Sequence, residues 1–336
     1  MEIFFEFEKP IITLEKKLKE LRELSGTDGV DLSREISTME EKLKSLIEET
    51  SAKLTTWQRV QLSRHPGRPY TSDYLEAIFP DFLELHGDRT FGEDAALVGG
   101  TASFEVDGKK IPVMIIGHQK GRTTKQKVER NFGMAKPEGY RKAMRLFEMA
   151  ERFRLPIITF IDTPGAYPGM DAEERGQSQA IAECIRAMFG LTVPVCAIVI
   201  GEGGSGGALA IGIGNLVLMQ EFSTYSVISP ESCASILWSD STQAEKAAEK
   251  LKITAHDLER MKLIDGIIAE PSGGAHRDKH AAIEQMRKTL NTKFLPLMQK
   301  NFLEPTSKES LAIRESRFQK FRHMGDFAFG PIGDAK

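Results

Sequence analysis

Val199-Ile200-Gly201-Glu202-Gly203-Gly204-Ser205-Gly206-Gly207-Ala208-Leu209-Ala210-Ile211-Gly212 is the stretch on which the reading of this chain turns. An apolar, strand-sized run, Pro194–Gly201, leads into it, and a short helical pattern, Ala208–Ile213, leads out. Four readings fit a strand, a glycine run and a helix in that order. Gly201, Gly203 and Gly206 satisfy the dinucleotide fingerprint G-x-G-x-x-G, and Glu221 stands near the spacing of a ribose-binding acid. Against that reading, Gly212 and Gly214 cut the helix short, whereas such a crossover needs ~10–12 residues. Gly203-Gly204-Ser205-Gly206-Gly207 also satisfies G-x-S-x-G, the nucleophile elbow of serine hydrolases. Asp257 or Asp265 with His276 or His280 would complete a triad in chain order, although those histidines lie in the polar stretch Gly273–His280. A P-loop is excluded, because no Lys-Ser/Thr follows the glycines. In the fourth reading the glycines bare the backbone. Without a Cβ on Gly206 or Gly207, a ligand oxygen can come within ~2.7–3.1 Å of their N–H groups. The helix that follows aligns the donors and adds its positive end. The plainer alternative is that Gly-Gly only lets the helix pack closely on the sheet.

Outward from this stretch the pattern is α/β. Ala102–Val106 and Ile111–His118 read as strands joined at Asp107-Gly108. Lys136–Arg154 reads as a helix, Pro156–Asp162 as a buried strand and Gln177–Met188 as a helix. Leu216–Met219 and Ser226–Ile228 read as strands, followed by a helix over Pro230–Trp238 with Ser229 as its N-cap and Pro230 at its first position. From Gln243 the chain reads as mainly helical. Near-continuous apolar strands alternating with helices predict a largely parallel sheet covered on both faces. Strand Pro156–Asp162 ends in Thr163-Pro164-Gly165, as the second strand ends in its glycine run. Adjacent parallel strands would bring these two ends side by side, where α/β folds bind ligands.

The first 68 residues have a different character. Leu14, Leu18, Leu21 and Leu24, then Leu32, Ile36, Met39, Leu43, Leu46 and Ile47, recur at helical spacing among charges, on either side of the break Ser25–Gly29. This predicts a helical hairpin whose narrow apolar stripe must pack on the body or on another subunit. The expected division is a helical arm over 1–68, an α/β domain over 69–323 and a flexible tail over 324–336. With 45 Lys+Arg against 48 Asp+Glu the net charge is −3, which argues against nucleic acid as the main partner. MEIFFEFEKP lacks a basic n-region, no stretch reaches the ~20 apolar residues of a membrane span, and a cytoplasmic location is expected. Cys184, Cys196 and Cys233 have neither disulfide nor zinc spacing, so no metal is expected in this chain. Lys120, Arg122, Lys125, Lys127 and Arg130 lie in a stretch without apolar periodicity. They are candidates for contact with an anionic partner, with a solvated loop face as the alternative for Lys125 and Lys127.

The glycine segment closely resembles the signature of the alpha subunit of bacterial acetyl-CoA carboxylase carboxyltransferase. The likeness extends to Ile161–Gly169, Glu173–Gln177, Gln119–Arg122, Asn131–Met134 and Tyr225–Glu231, in the expected order from the helical arm to about Arg322. It implies a crotonase-like fold of repeated ββα units, with an N-terminal helical hairpin and a helical C-terminal region. It also implies transfer of a carboxyl group from carboxybiotin, held on the biotin carboxyl carrier protein, to acetyl-CoA, giving malonyl-CoA in the first committed step of fatty acid biosynthesis. A zinc-ribbon beta subunit would join this chain in an α2β2 heterotetramer, and ATP would be used by the separate biotin carboxylase. By this resemblance the amides of Gly206 and Gly207 form an oxyanion hole for the ureido oxygen. Gly203, Gly204 and Ser205 would line the biotin site, with Thr163, Pro164, Gly165, Ala166 and Tyr167 as its facing wall. Tyr167 would stack on the bicyclic ring or buttress its own loop. Lys120, Arg122 and Arg130 would be the CoA or anion contacts. The alternatives are a crotonase-fold serine hydrolase using Ser205 and a scaffolding subunit without chemistry of its own.

Overall fold

Two residues at positive φ, Asp107 at 49° and Gly108 at 71°, turn the chain back on itself. They join strands β2 (Leu97–Val106) and β3 (Lys109–His118), with β1 (Leu83–Glu84) preceding them along the chain. This is the dihedral pair of a tight hairpin whose twist matches its strands. The computed structural model describes residues 4–27, 31–300 and 302–325. The register of β2 and β3 runs without a break from Val106↔Lys109 to Leu97↔His118, and β1 pairs antiparallel on the outer edge of β2.

From β3 onward the sheet is parallel. It continues through β4 (Ile157–Thr163), β5 (Val195–Gly204), β6 (Leu216–Gln220) and, after β7 (Thr224–Ser226), β8 (Gly266–Ile268). The spatial order is β1-β2-β3-β4-β5-β6-β8, and β7 pairs with the far end of β5. Every residue of β4 is buried, as expected of a strand covered on both faces. On one face Met114, Ile116, Ile161 and Val199 pack under the helices Pro137–Phe153 and Gln177–Gly190. On the other, Ile115, Phe160 and Ile198 pack with Tyr74 and Met286 from the helices Thr71–Ile78 and Lys279–Thr289.

Several elements differ from the sequence reading, each for a tertiary reason. The helix after the glycines spans Ser205–Leu209 instead of Ala208–Ile213, because β5 continues to Gly204 along β7. For the same reason the strand expected at Ser226–Ile228 lies at Thr224–Ser226. The three-residue strand β8 interrupts the helical C-terminal region, too short to show a period of its own and formed by pairing with β6. The stretch read as a basic loop contains a helix, Thr124–Glu129, capped by the Thr123 hydroxyl, which accepts from Gln126 N at 3.2 Å.

The arm is a pair of helices, Lys9–Thr27 and Ser33–Ala52, and the first runs through the expected break at Ser25-Gly26. Ile11 and Leu18 of the first are buried, while the second buries no residue. Residues 56–68, expected with the arm, pack in the body: Val60 and Leu62 of the helix Thr56–Ser63 are buried, and Val60 sits with Ala248 and Ile253. Residues 326–336 of the expected tail, and Asp28-Gly29 of the expected break, lie outside the described residues. Cys184, Cys196 and Cys233 are free thiols. No helix among the described residues is long and apolar enough to cross a membrane.

Candidate active site

The two strand ends that the sequence suggested would meet are adjacent. β4 and β5 pair in parallel from Ile157↔Val195 to Ile161↔Val199, after which Thr163 pairs with Gly203, so β5 carries two extra residues. Such a bulge bends the strand and re-aims the residues beyond it. It is held by Asp162, whose Oδ1 accepts from Glu202 N at 3.1 Å. A Cβ at Gly201 would collide with that same carboxylate oxygen, so the bulge requires glycine there.

Past the bulge the chain crosses the loop after β4 at close range. A Cβ at Gly204 would run into the Pro164 carbonyl, and one at Gly207 would lie 2.6 Å from Ala166 N and from the Gly165 carbonyl carbon. Thr163 shapes this loop: its hydroxyl donates to Gly165 O at 2.7 Å and accepts from Gly165 N at 3.2 Å. Gly206 is different. A Cβ there would meet only the Ile181 side chain, at 3.4 Å, which is ordinary contact. Gly206 and Gly207 are the second and third residues of the helix Ser205–Leu209, where a helix supplies no acceptor for the N–H. The N-cap, Gly204, brings no side chain to take those donors. The helix has only five residues, so the donors themselves outweigh its dipole. Ser205 enters it at φ 53°, a left-handed conformation uncommon outside glycine. Gly206 and Ser205 line a cavity of about 460 Å³ whose other walls include Leu209, Tyr225, Val227 and Met261. Burial pushes the Tyr225 phenol up to about 12.

A buried ion cluster lies behind the turn. Lys120 Nζ is 2.9 Å from Asp162 Oδ1 and 2.7 Å from Glu202 Oε1, and Arg64 Nε donates to Glu202 Oε2 at 2.9 Å. Burial alone would lower the Lys120 pKa, but Asp162 and then Glu202 outweigh it and hold the ammonium charged above its ordinary range. Burial would raise Glu202, yet Lys120 and Arg64 draw it below the carboxylate range. His118, at the end of β3, is fully buried and neither ring nitrogen has a hydrogen-bond partner. Burial, with nearby Lys120 adding to it, drives its pKa down to about 3.

Residues 4–325 match the family described as acetyl co-enzyme A carboxylase carboxyltransferase-like. The chain belongs to that family. It is 57% identical over 323 residues to the acetyl-coenzyme A carboxylase carboxyl transferase subunit alpha of Geobacter metallireducens, covering 96% of this chain and 98% of the relative. The subunit of the same name from Thermus thermophilus is 54% identical over 323 residues, with the same coverage. Among solved structures, the beta subunit of P. aeruginosa geranyl-CoA carboxylase superposes with a TM-score of 0.53 at 17% identity, over 83% of this chain and 48% of that one. A transcarboxylase 12S structure superposes at 0.50 and 21% identity, over 66% of this chain and 42% of that one. The chain thus spans less than half the length of these two structural neighbours, and the likeness establishes the fold, an α/β crotonase-like architecture. The protein is a carboxyl-transferring enzyme subunit.

Family membership removes the hydrolase alternative, and the geometry agrees. His276 Nε2 is bonded to Glu8 Oε1 of the arm at 2.8 Å. Asp265 holds Lys320 at 2.7 Å, and Asp257 serves the cap at Thr254. No hydrogen bond joins Ser205 to any of them among the described residues. The dinucleotide reading fails with the five-residue helix. The three basic residues expected to meet CoA or another anion are engaged within the chain. Lys120 points inward to two carboxylates. Arg122 pairs with Asp73, donates to Pro66 O at 2.8 Å and lies over the Tyr70 ring. Arg130 Nη1 donates to Ala95 O at 2.8 Å. Tyr167 has Lys136 Nζ 4.7 Å from its ring centroid, so the loop's own surroundings cover one face of the ring. Sequence reasoning missed Arg64, Asp162 and His118. The charged residue between Gly201 and Gly203 was the available signal, since an acid there needs a cation behind it.

Proposed function

We propose that this chain supplies the biotin half of a carboxyl-transfer site, in which carboxybiotin on its carrier protein gives its carboxyl group to acetyl-CoA and malonyl-CoA is formed. The observation that carries this reading is Gly206. Its amide is the second of a helix, it lines a cavity, and the protein itself would tolerate a side chain there. Packing explains the glycines at 204 and 207 but not the one at 206. An approaching substrate oxygen does.

The chemistry is set by where charge gathers. As the N1–carboxyl bond of carboxybiotin breaks, negative charge grows on the ureido oxygen, and N–H donors at ~2.7–3.1 Å stabilise it. The proton lost from the acetyl methyl passes to the ureido nitrogen, and the new C–C bond forms to the released carboxyl carbon. No side-chain base is needed. The Gly206 and Gly207 amides serve the ureido oxygen, Ser205, Gly203 and Gly204 carry the turn, and Thr163–Ala166 form its wall. Tyr167 buttresses that wall through Lys136. The thioester oxygen gathers charge of its own and needs separate donors, which we assign to a zinc-ribbon beta subunit in an α2β2 assembly. ATP is used elsewhere, by biotin carboxylase. We place the assembly in the cytoplasm and take the arm to end near Ala52, where the packing of the body begins.

Gly206→Ala tests this reading. Malonyl-CoA formation by the assembled enzyme is expected to fall about 10²–10³-fold, the scale of losing one oxyanion donor. The variant's melting temperature should match the parent's, because the added methyl meets only Ile181. Full transfer by a folded Gly206→Ala enzyme would refute the assignment.

A further inference from the structure

A second cleft, of about 780 Å³, opens between the first arm helix and the body and shares no lining residue with the cavity at Gly206. Six cations line it, Lys16, Lys19, Arg122, Lys127, Arg277 and Lys279, against two carboxylates, Glu8 and Glu15. This positive excess stands in a chain whose net charge is −3. Both carboxylates are already engaged: Glu8 with His276 Nε2 at 2.8 Å and Arg277 Nη1 at 3.7 Å, and Glu15 with Arg277. Asp73 lies against Arg122 and is 4.0 Å from Lys279, and Glu23 is 3.9 Å from Lys19. Lys16 and Lys127 make no ion pair among the described residues. A concave surface lined by one sign of charge focuses the field within it, and a volume of this order suits a small ligand.

We propose that this cleft binds a polyphosphate anion. The two ammonium groups without an ion pair among the described residues come from different elements, Lys16 from the arm helix Lys9–Thr27 and Lys127 from the helix Thr124–Glu129 of the body. A ligand that engages both must carry more than one charged group, which separates a phosphate chain from a single phosphate. Lysine, a compact point charge, suits phosphate oxygens. Phe4, 46% exposed, and Ile12 add an apolar wall on which the ring of a nucleotide would rest. Glu8, His65 and His276 bring ligand atoms within 4.8 Å of one another at the cleft, but their geometry is that of a hydrogen-bonded floor. Gly67 N donates to His65 Nδ1 at 3.0 Å, and His276 is bonded to Glu8.

Titration calorimetry of the full chain at low salt, with tripolyphosphate, adenosine triphosphate and sulfate as separate probes, tests the proposal. Tripolyphosphate is expected to bind at least about tenfold more tightly than sulfate and to weaken as ionic strength rises. The double variant Lys16→Gln/Lys127→Gln should lose about tenfold in affinity for tripolyphosphate while melting as the parent does. Adenosine triphosphate binding more tightly than tripolyphosphate, with the difference lost in Phe4→Ala, assigns the site to a nucleotide. Equal affinity assigns it to the inorganic chain. Tripolyphosphate binding no tighter than sulfate, or binding unchanged by the double variant, overturns the proposal.

Discussion

Neighbouring glycines at 206 and 207 are glycine for different reasons. At 207 a methyl group would lie 2.6 Å from backbone atoms of the facing loop, and neither segment can yield without the other. At 206 the nearest atom is a movable Ile181 methyl at 3.4 Å. A substitution at 207 therefore reports packing as much as chemistry, and 206 is the informative position. His118 raises a different residue-scale question, because a fully buried imidazole with no partner should be expensive to protonate. Its folded pKa of about 3 lies below the ordinary 6.5 of the unfolded chain. Between those values the unfolded state binds the extra proton, so stability is complete above about pH 6.5 and falls as pH drops toward 3. The contribution of this group is expected to be on the order of 1 kcal/mol per pH unit within that window. Urea midpoints of His118→Leu against the parent at a series of pH values measure it. The variant should lack that component of the slope, and parallel curves would show that the imidazole is already protonated or solvated.

Among the elements, the strand β5 decides most. Its bulge at Ile200–Glu202 directs Glu202 inward to Lys120 and Arg64, while the following residues pair with β7 and then start a helix. The ion cluster thus links four pieces of chain, the end of β4, the end of β5, the segment after β3 and, through Arg64, the end of the helix Thr56–Ser63. Removing one member leaves charge buried without a partner, which typically costs ~3–5 kcal/mol. Lys120→Met is expected to destabilise the protein by about that much, read as a lower urea midpoint, because buried Asp162 would lose its ion pair beside Glu202, which would keep only Arg64. A change below ~1 kcal/mol would mean that water already reaches the cluster. This role would also reduce transfer, through displacement of the turn and not through lost contact with CoA.

At the scale of the whole molecule, the arm is a lever attached at one end. Glu8 and Glu15 meet His276 and Arg277, Ile11 and Leu18 are buried, and the second helix buries nothing within the chain. Its apolar stripe, Ile36, Met39, Leu43, Leu46 and Ile47, is half-buried. Arg277→Ala should loosen the docking by about 1 kcal/mol and raise the rate of limited proteolysis within residues 9–52 roughly fivefold, while the body stays resistant. Equal cleavage rates would place the attachment in the apolar contacts alone.

Much of this architecture is a local matter and was legible residue by residue. Asp107-Gly108 demands a tight hairpin, Ser229-Pro230 starts a helix over Pro230–Trp238, and apolar runs bounded by glycine and proline mark β4 and β5. The glycine run announced bare amides, since dihedral freedom and a missing Cβ are properties of the residue itself. Only the tertiary structure decided what those properties meet. Lys120 and Glu202 are 82 positions apart, and no spacing rule foretells that a cation in a polar stretch will turn inward to an acid in a glycine run. The helix start moved to Ser205 because β7, a later strand, lengthened β5. Local sequence sets which backbone shapes are permitted, and long-range packing chooses among them by what each would leave buried and unpaired.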